Sequence, residues 1–187
     1  MSAKRWCFIF VSVVLLMSSL KDGFAQGLGR FSDWSEPVNL GPNINSEFIE
    51  QSPMISPSGL SLYFASNRPG GLGSTDFWVS QRASLADAWM EPKHLGPIIN
   101  TPSNETNPNL SPDGHWLFFS SARPGGCGNN DLWISYREDS ADNFGWKIPQ
   151  NLGCIINTDA AEFGPAYFED ATTGVSALYF HSNGLGA

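Results

Sequence analysis

Ser111 to Ser135 reads Ser-Pro-Asp-Gly-His-Trp-Leu-Phe-Phe-Ser-Ser-Ala-Arg-Pro-Gly-Gly-Cys-Gly-Asn-Asn-Asp-Leu-Trp-Ile-Ser, and the chain carries a near copy of it upstream. The earlier copy, Ser56 to Ser80, opens on Ser-Pro-Ser-Gly, passes through Leu-Tyr-Phe-Ala-Ser-Asn to Arg-Pro-Gly-Gly-Leu-Gly, and ends in Asp-Phe-Trp-Val-Ser. A duplication of this length speaks first about architecture. A catalytic centre is made once per molecule, whereas a residue found in every unit serves something every unit needs.

Working outward, the same period governs the chain from Trp34 onward. Trp34, Trp89 and Trp146 are separated by 55 and 57 residues, and Leu40-Gly41, Leu95-Gly96 and Leu152-Gly153 follow them in register. Then come Asn45, Asn100 and Asn157, and after them Glu50, Glu105 and Glu162, each three residues ahead of a proline. The aromatic pairs Tyr63-Phe64, Phe118-Phe119 and Tyr179-Phe180 complete the pattern. A period of this size with four short apolar runs per unit predicts an all-β fold: a β-propeller of four-stranded antiparallel blades.

Each run of the second unit has a place in such a blade. Pro108 to Ser111 reads as the inner strand, Pro112-Asp113-Gly114 as a tight turn, and Trp116 to Ser121 as an aromatic second strand. Arg123 to Asn130 is a glycine-rich loop, Asp131 to Arg137 a third strand, and Trp146 to Leu152 the outer strand. Pro37, Pro92 and Pro149 fall in the outer strands, where a missing ladder donor is tolerated at an edge. The predicted organisation is an outer strand at 34–40, blades at 50–95 and 105–152, and a partial blade at 162–187. Only about three blades are present. The expectation is therefore either a piece of a longer reading frame or an assembly of several chains, because a propeller of this kind needs at least four blades to close.

The pattern Ser-Pro-Asp-Gly, Leu-Phe-Phe-Ser-Ser, Arg-Pro-Gly-Gly and Asp-Leu-Trp-Ile-Ser resembles the TolB-type β-propeller repeat, a relative of the WD repeat found in bacterial periplasmic and exported proteins. The resemblance covers residues 34 to 187 and implies a non-catalytic binding module with a protein partner in the cell envelope. The alternative is a scaffold or substrate gate of a glycan-active or other hydrolytic enzyme. The third copy departs from the pattern twice. It inserts residues 169 to 175, and it reads Asn183-Gly184-Leu185-Gly186 where the others have arginine and proline.

Residues 1 to 25 read as a cleaved signal peptide: Lys4 and Arg5 precede the apolar run Trp6 to Leu20, and Gly23-Phe24-Ala25 ends in a small-residue cleavage pattern. Residues 26 to 33 are a leader. The expected location is periplasmic or extracellular, with no transmembrane span once the signal is removed. The formal net charge of -8 and the lack of a Lys/Arg cluster argue against nucleic acid as a partner. Cys127 and Cys154 remain after cleavage, and in an oxidising compartment they either form one bridge or stand as two small buried thiols.

Alternation of the strands collects the second-to-third loops and the crossovers between blades on one end of the fold, the usual place for binding. That end is expected to carry Arg68, Asp76, Arg123, Asn129, Asn130, Asp131, Glu50, Glu105 and Glu162, together with Cys127 and Cys154. Asp76 and Asp131 stand eight positions after Arg68 and Arg123, which suggests an ion pair or hydrogen-bond clamp across each glycine-rich loop. The three glutamates either accept backbone hydrogen bonds from the neighbouring blade or, as a ring of carboxylates, hold calcium. No other cofactor is indicated. Ser111, Asp113 and Gly114 superficially resemble a sialidase Asp-box, but turn chemistry accounts for them, and no nucleophile elbow or metal-binding histidine pair appears. Loop residues Cys127, Asn129 and Asn130 are what distinguishes the second copy.

Overall fold

The computed structural model describes residues 35–184. The expected signal peptide and leader lie outside the described residues, as does Trp34. Ten strands follow in chain order: β1 (Glu50–Ile55), β2 (Ser61–Ser66), β3 (Asp76–Gln81), β4 (Lys93–His94), β5 (Glu105–Leu110), β6 (Trp116–Ser121), β7 (Asp131–Tyr136), β8 (Gln150–Asn151), β9 (Glu162–Glu169) and β10 (Ser176–Ser182). They form two four-stranded antiparallel sheets, β1-β2-β3-β4 and β5-β6-β7-β8, and a two-stranded sheet, β9-β10. Among the described residues no helix is long and apolar enough to cross a membrane.

The quoted stretch shows why these residues fold this way. Ser111 accepts the amide of Gly114 at 2.9 Å, and Gly114 takes φ +75°, a conformation that favours glycine. The Ser111 hydroxyl donates to Asp113, whose carboxylate also accepts the His115 amide at 3.0 Å. The Asp-box-like residues are thus occupied by the turn. The chain then runs into β6, where Leu117 and Phe119 point to one face and Phe118 and Ser120 to the other.

Two faces of adjoining sheets make the core. Tyr63 and Ala65 of β2, with Phe77 and Val79 of β3, pack against Leu110, Leu117, Phe119, Trp133 and Trp146 of the second repeat. The opposite face of the first sheet repeats half of that set, as Ile44, Leu62, Phe64, Trp78 and Trp89. Trp78 and Trp133 are therefore core residues. The third aromatic pair differs: Tyr179 is 65% and Phe180 41% exposed, because β10 has only β9 beside it among the described residues.

The expected outer strands are shorter than their sequence suggests. Residues 35–40 carry no strand, and Trp146 to Leu152 contributes only Gln150–Asn151. Proline explains the loss, since Pro92 and Pro149 immediately precede β4 and β8 and cannot donate to the ladder. Single backbone bonds still hold the flanks, Met90 to Gln81 at 2.9 Å and Lys147 to Tyr136 at 2.8 Å. The inner strand of the second repeat starts earlier than expected, at Glu105, and contains a bulge between Thr106 and Asn109. Asn107 there has φ 57°, as Ser52 has φ 52° in β1. The two bulges touch, with Asn107 Nδ2 donating to Ser52 Oγ at 3.0 Å.

At the other end of the strands, Arg137 ties the first two sheets together. It is 1% exposed, donates to the Gly114 carbonyl at 2.8 Å and the Tyr63 hydroxyl at 2.9 Å, and lies 4.3 Å above the Trp146 ring. Tyr63 in turn donates to Asn143. Burial pushes the Tyr63 phenol up to about 12, although Arg137 pulls the other way. The folded value lies above the unfolded one, so the neutral phenol's stabilisation is complete below about pH 10 and is lost between there and about pH 12. The expected loss over that window is about 2–3 kcal/mol. Urea melts at pH 8 and pH 11.5 should show it, and Tyr63→Phe should flatten that part of the profile.

Candidate functional site

The glycine-rich loops, Arg68 to Thr75 and Arg123 to Asn130, share one end of the sheets with the crossovers that lead into β1, β5 and β9. Their geometry follows from a set of groups present in each copy. Arg68 folds back over the Phe64 ring at 4.8 Å and the Trp78 ring at 5.5 Å, donates to the Ile44 carbonyl at 3.0 Å and pairs with Glu50 at 3.0 Å. Arg123 does the same over Phe119 and Trp133, at 4.8 and 5.3 Å, with the Ile99 carbonyl, and with Glu105 at 3.2 Å.

The arginines therefore pair with glutamates, so of the ion pair and the hydrogen-bond clamp expected for Asp76 and Asp131 the structure forms the clamp. The ladder explains the exchange: Ser66 lies opposite both Glu50 and Asp76, and the arginine two residues past Ser66 turns toward the Glu50 side. The aspartates close the loops instead. Asp76 accepts the amides of Leu72 and Gly73, both at 3.0 Å, and Asp131 accepts those of Cys127 at 2.6 Å and Gly128 at 3.2 Å. These bonds bring the loop so near the carboxylate that a Cβ on Gly71 would stand 2.2 Å from Asp76 Oδ2. At Gly73 a Cβ would stand 1.9 Å from the Ser103 carbonyl oxygen of the next crossover. The loop needs glycine at both places for close approach.

Each glutamate is held within its own repeat. Glu50 accepts the Ser46 amide at 3.1 Å, Glu105 the Thr101 amide at 2.9 Å, and Glu162 the Thr158 amide at 3.1 Å. The donors lie four residues upstream, and not in the neighbouring sheet, because the crossover bends back over the carboxylate. Burial raises Glu105, an effect only partly offset by donors from Thr101, Arg123 and Ser121. At Glu50 and Glu162 burial pushes the same way but is outweighed. Ser46 and Arg68 hold Glu50 below the usual carboxylate range, and Thr158 and Ser182 do so for Glu162. Among the described residues no three His, Cys, Asp or Glu side chains converge to hold a metal ion.

Most of the polar residues expected at the binding end are thus engaged by the fold. Asp76, Asp131, Glu105 and Glu162 are buried. Asn129 is exposed at its side chain, and its amide donates to the Ala160 carbonyl at 2.9 Å. Asn130 is half-buried, and its carbonyl accepts the Glu162 amide at 2.8 Å. Cys127 and Cys154 form a disulfide with Cα atoms 5.6 Å apart, fastening the second loop to the following crossover. Opening this bridge is expected to cost about 3 kcal/mol for a closed loop of that length. Melts of the protein with Cys127→Ser against wild type, with and without reductant, measure it. Two free thiols from Cys127 and Cys154 on the denatured, unreduced protein would contradict the bridge.

What remains at this end is apolar, and residue-type reasoning passed over it. Phe48, Ile49, Leu72, Ile98 and Ile155 all lie on these loops and crossovers, and Ile155 is fully exposed. A sequence signal exists in Pro-Ile-Ile-Asn and Cys-Ile-Ile-Asn, where Ile99 is buried beneath the turn while Ile98 and Ile155 face outward. In the first repeat, Phe48 joins Pro42, Asn43, Arg68, Trp78 and Pro92 in lining a hollow of about 280 Å³. Compared with known proteins, the sequence matches no family model and no curated protein.

Proposed function

We propose that this chain is an exported, non-catalytic β-propeller segment of TolB-type repeats that binds a protein partner in the bacterial cell envelope through its loop end. The observation that carries this reading is the division of labour there. The repeated arginine, aspartate and glutamate residues are tied up by the fold, while Phe48, Ile49, Leu72, Ile98 and Ile155 are offered to solvent on braced loops. Exposed apolar side chains on loops braced by hydrogen bonds suit protein association more than catalysis. The two four-stranded antiparallel sheets built from paired repeats support a reading as blades of a propeller.

Photo-crosslinking groups at positions 72, 98 and 155 of the exported protein should yield specific adducts in the envelope, whereas one at Leu85, on the opposite end, should not. Ile155→Asp, which changes a side chain without buried area, is expected to shift stability by less than about 0.5 kcal/mol and to weaken capture at least tenfold. Equal adduct formation at both ends would remove the basis for the reading.

A further inference from the structure

At the end of the sheets away from the glycine-rich loops, a hollow of about 340 Å³ lies between the first two repeats. The β1-β2 turn and the ends of β2 and β3 form one wall, and Ser140 and Ala141, from the connection between β7 and β8, form the other. Ser61 and Gln81 are cross-strand partners on the face of the first sheet that carries Tyr63 and Val79 into the shared core. The second copy has Trp116 and Tyr136 at these two places, with ring centroids 4.8 Å apart. It has Asp113 and His115 where the first has Ser58 and Leu60. These four residues of the hollow are thus individual to the first copy, unlike the arginine, aspartate and glutamate residues that recur as bracing.

We infer that this hollow binds a neutral saccharide. The site goes beyond the protein-binding reading above and lies at the other end of the sheets. Its polar groups have hydrogen-bonding capacity left over. Ser61 is 7% exposed, and its hydroxyl oxygen accepts Asn143 Nδ2 at 2.9 Å while its own hydrogen has no acceptor among the described residues. The side-chain amide of Gln81 and the Ser140 hydroxyl line the same hollow and make no hydrogen bond among the described residues. Ser56 and Ser58 are fixed to each other, hydroxyl to hydroxyl at 3.0 Å, and Ser56 Oγ also accepts the Ser61 amide at 3.1 Å. Among the described residues no carboxylate lines the hollow, and the charge of Arg82 is directed elsewhere. Its guanidinium donates to the Gly59 and Leu85 carbonyls and lies 4.4 Å over Trp89, in the apolar cluster of the sheet's opposite face. Hydroxyl and amide groups that both donate and accept, with Leu60 and Ala141 beside them to meet a C–H face, fit a sugar ring. A peptide fits less well, since the strands beside the hollow are paired with each other and leave it no free ladder edge.

The full chain, labelled with nitrogen-15, is titrated with the methyl glycosides of glucose, galactose, mannose and N-acetylglucosamine while amide signals are followed. Inorganic phosphate and N-acetyl-glycylglycinamide are titrated in the same way. At least one glycoside should shift Ser58, Ser61, Gln81 and Ser140 saturably at millimolar concentration. Gln81→Ala should weaken that binding by about fivefold, the effect of one lost hydrogen bond. Ser140→Trp, at an exposed position, should abolish it by filling the hollow. The inference is overturned if no glycoside moves those amides, if phosphate or the peptide binds more tightly than every glycoside, or if either variant binds as the wild type does. Should one variant not fold, the other decides. Crosslinking from positions 72, 98 and 155 reads the opposite end of the sheets, so that result and this one can fail separately.

Discussion

Replacing Phe119 with alanine is expected to lower stability by about 3–5 kcal/mol, while the same change at Phe180 should cost less than about 1 kcal/mol. The two residues hold the same place in the repeat, and their surroundings differ. Phe119 is completely buried, meets Phe77 edge to face at 5.6 Å and lies beneath Arg123 in the core shared by the first two sheets. Its removal would leave a cavity among rigid neighbours of two sheets, and the cavity adds to the lost transfer energy. Phe180 has no third strand beside it among the described residues, so most of its contact is with water or β9. Urea melts of both variants measure the contrast, and similar losses at the two sites would show that the sheets do not share the core described.

The second large effect is expected at the Arg123 pair. Arg123→Ala should cost about 3–5 kcal/mol, because it strands the Glu105 carboxylate in a site where its side chain has no exposure. Arg68→Ala should cost about 1 kcal/mol or a little more, since Glu50 keeps a side-chain exposure of 14% and water can share its charge. The pH dependence gives a separate check. Glu105 is raised by burial, and loss of Arg123 raises it further, so the folded value lies above the unfolded one. A group of that kind contributes stability below its unfolded value and loses it as pH rises through the folded value. The Arg123→Ala protein should therefore recover part of its deficit on going from pH 8 to pH 5, and Glu105→Gln combined with Arg123→Ala should be milder than the sum of the single changes. An unchanged deficit across that range would mean that the carboxylate finds another cation.

The strands were readable because their signals are local. Aromatic runs bounded by Ser-Pro-x-Gly and Arg-Pro-Gly-Gly place β2, β3, β6 and β7 well, since a turn residue and a period of two act within a few positions. The outer strands were overextended because proline next to β4 and β8 removes ladder donors one at a time, and a sequence does not show how many remaining bonds a short edge can keep. Of the two arrangements expected at each glycine-rich loop, the hydrogen-bond clamp forms and the ion pair goes elsewhere, for a different reason. Arg68 and Asp76 are near in sequence and flank one loop, whereas Glu50 comes near only through the register of β1 on β2. Charged residues were expected to form the binding end, and they are instead its internal bracing. Ile98 and Ile155 escaped notice because their neighbours Ile99 and Ile156 are buried and half-buried, and each pair resembles core.

The bond between Cys127 and Cys154 has a mechanical consequence. A pull applied beyond β10 would peel β10 and β9 from the sheet beside them and then reach Cys154, where tension would pass directly to the loop at Cys127. The span between them, bridging a sequence separation of 27 and containing β7 and β8, would be shielded from extension. Roughly 90 Å of contour length would stay hidden until the bridge is reduced. The second sheet would thus act as a stop for unravelling from that side, and a reducing environment would release it.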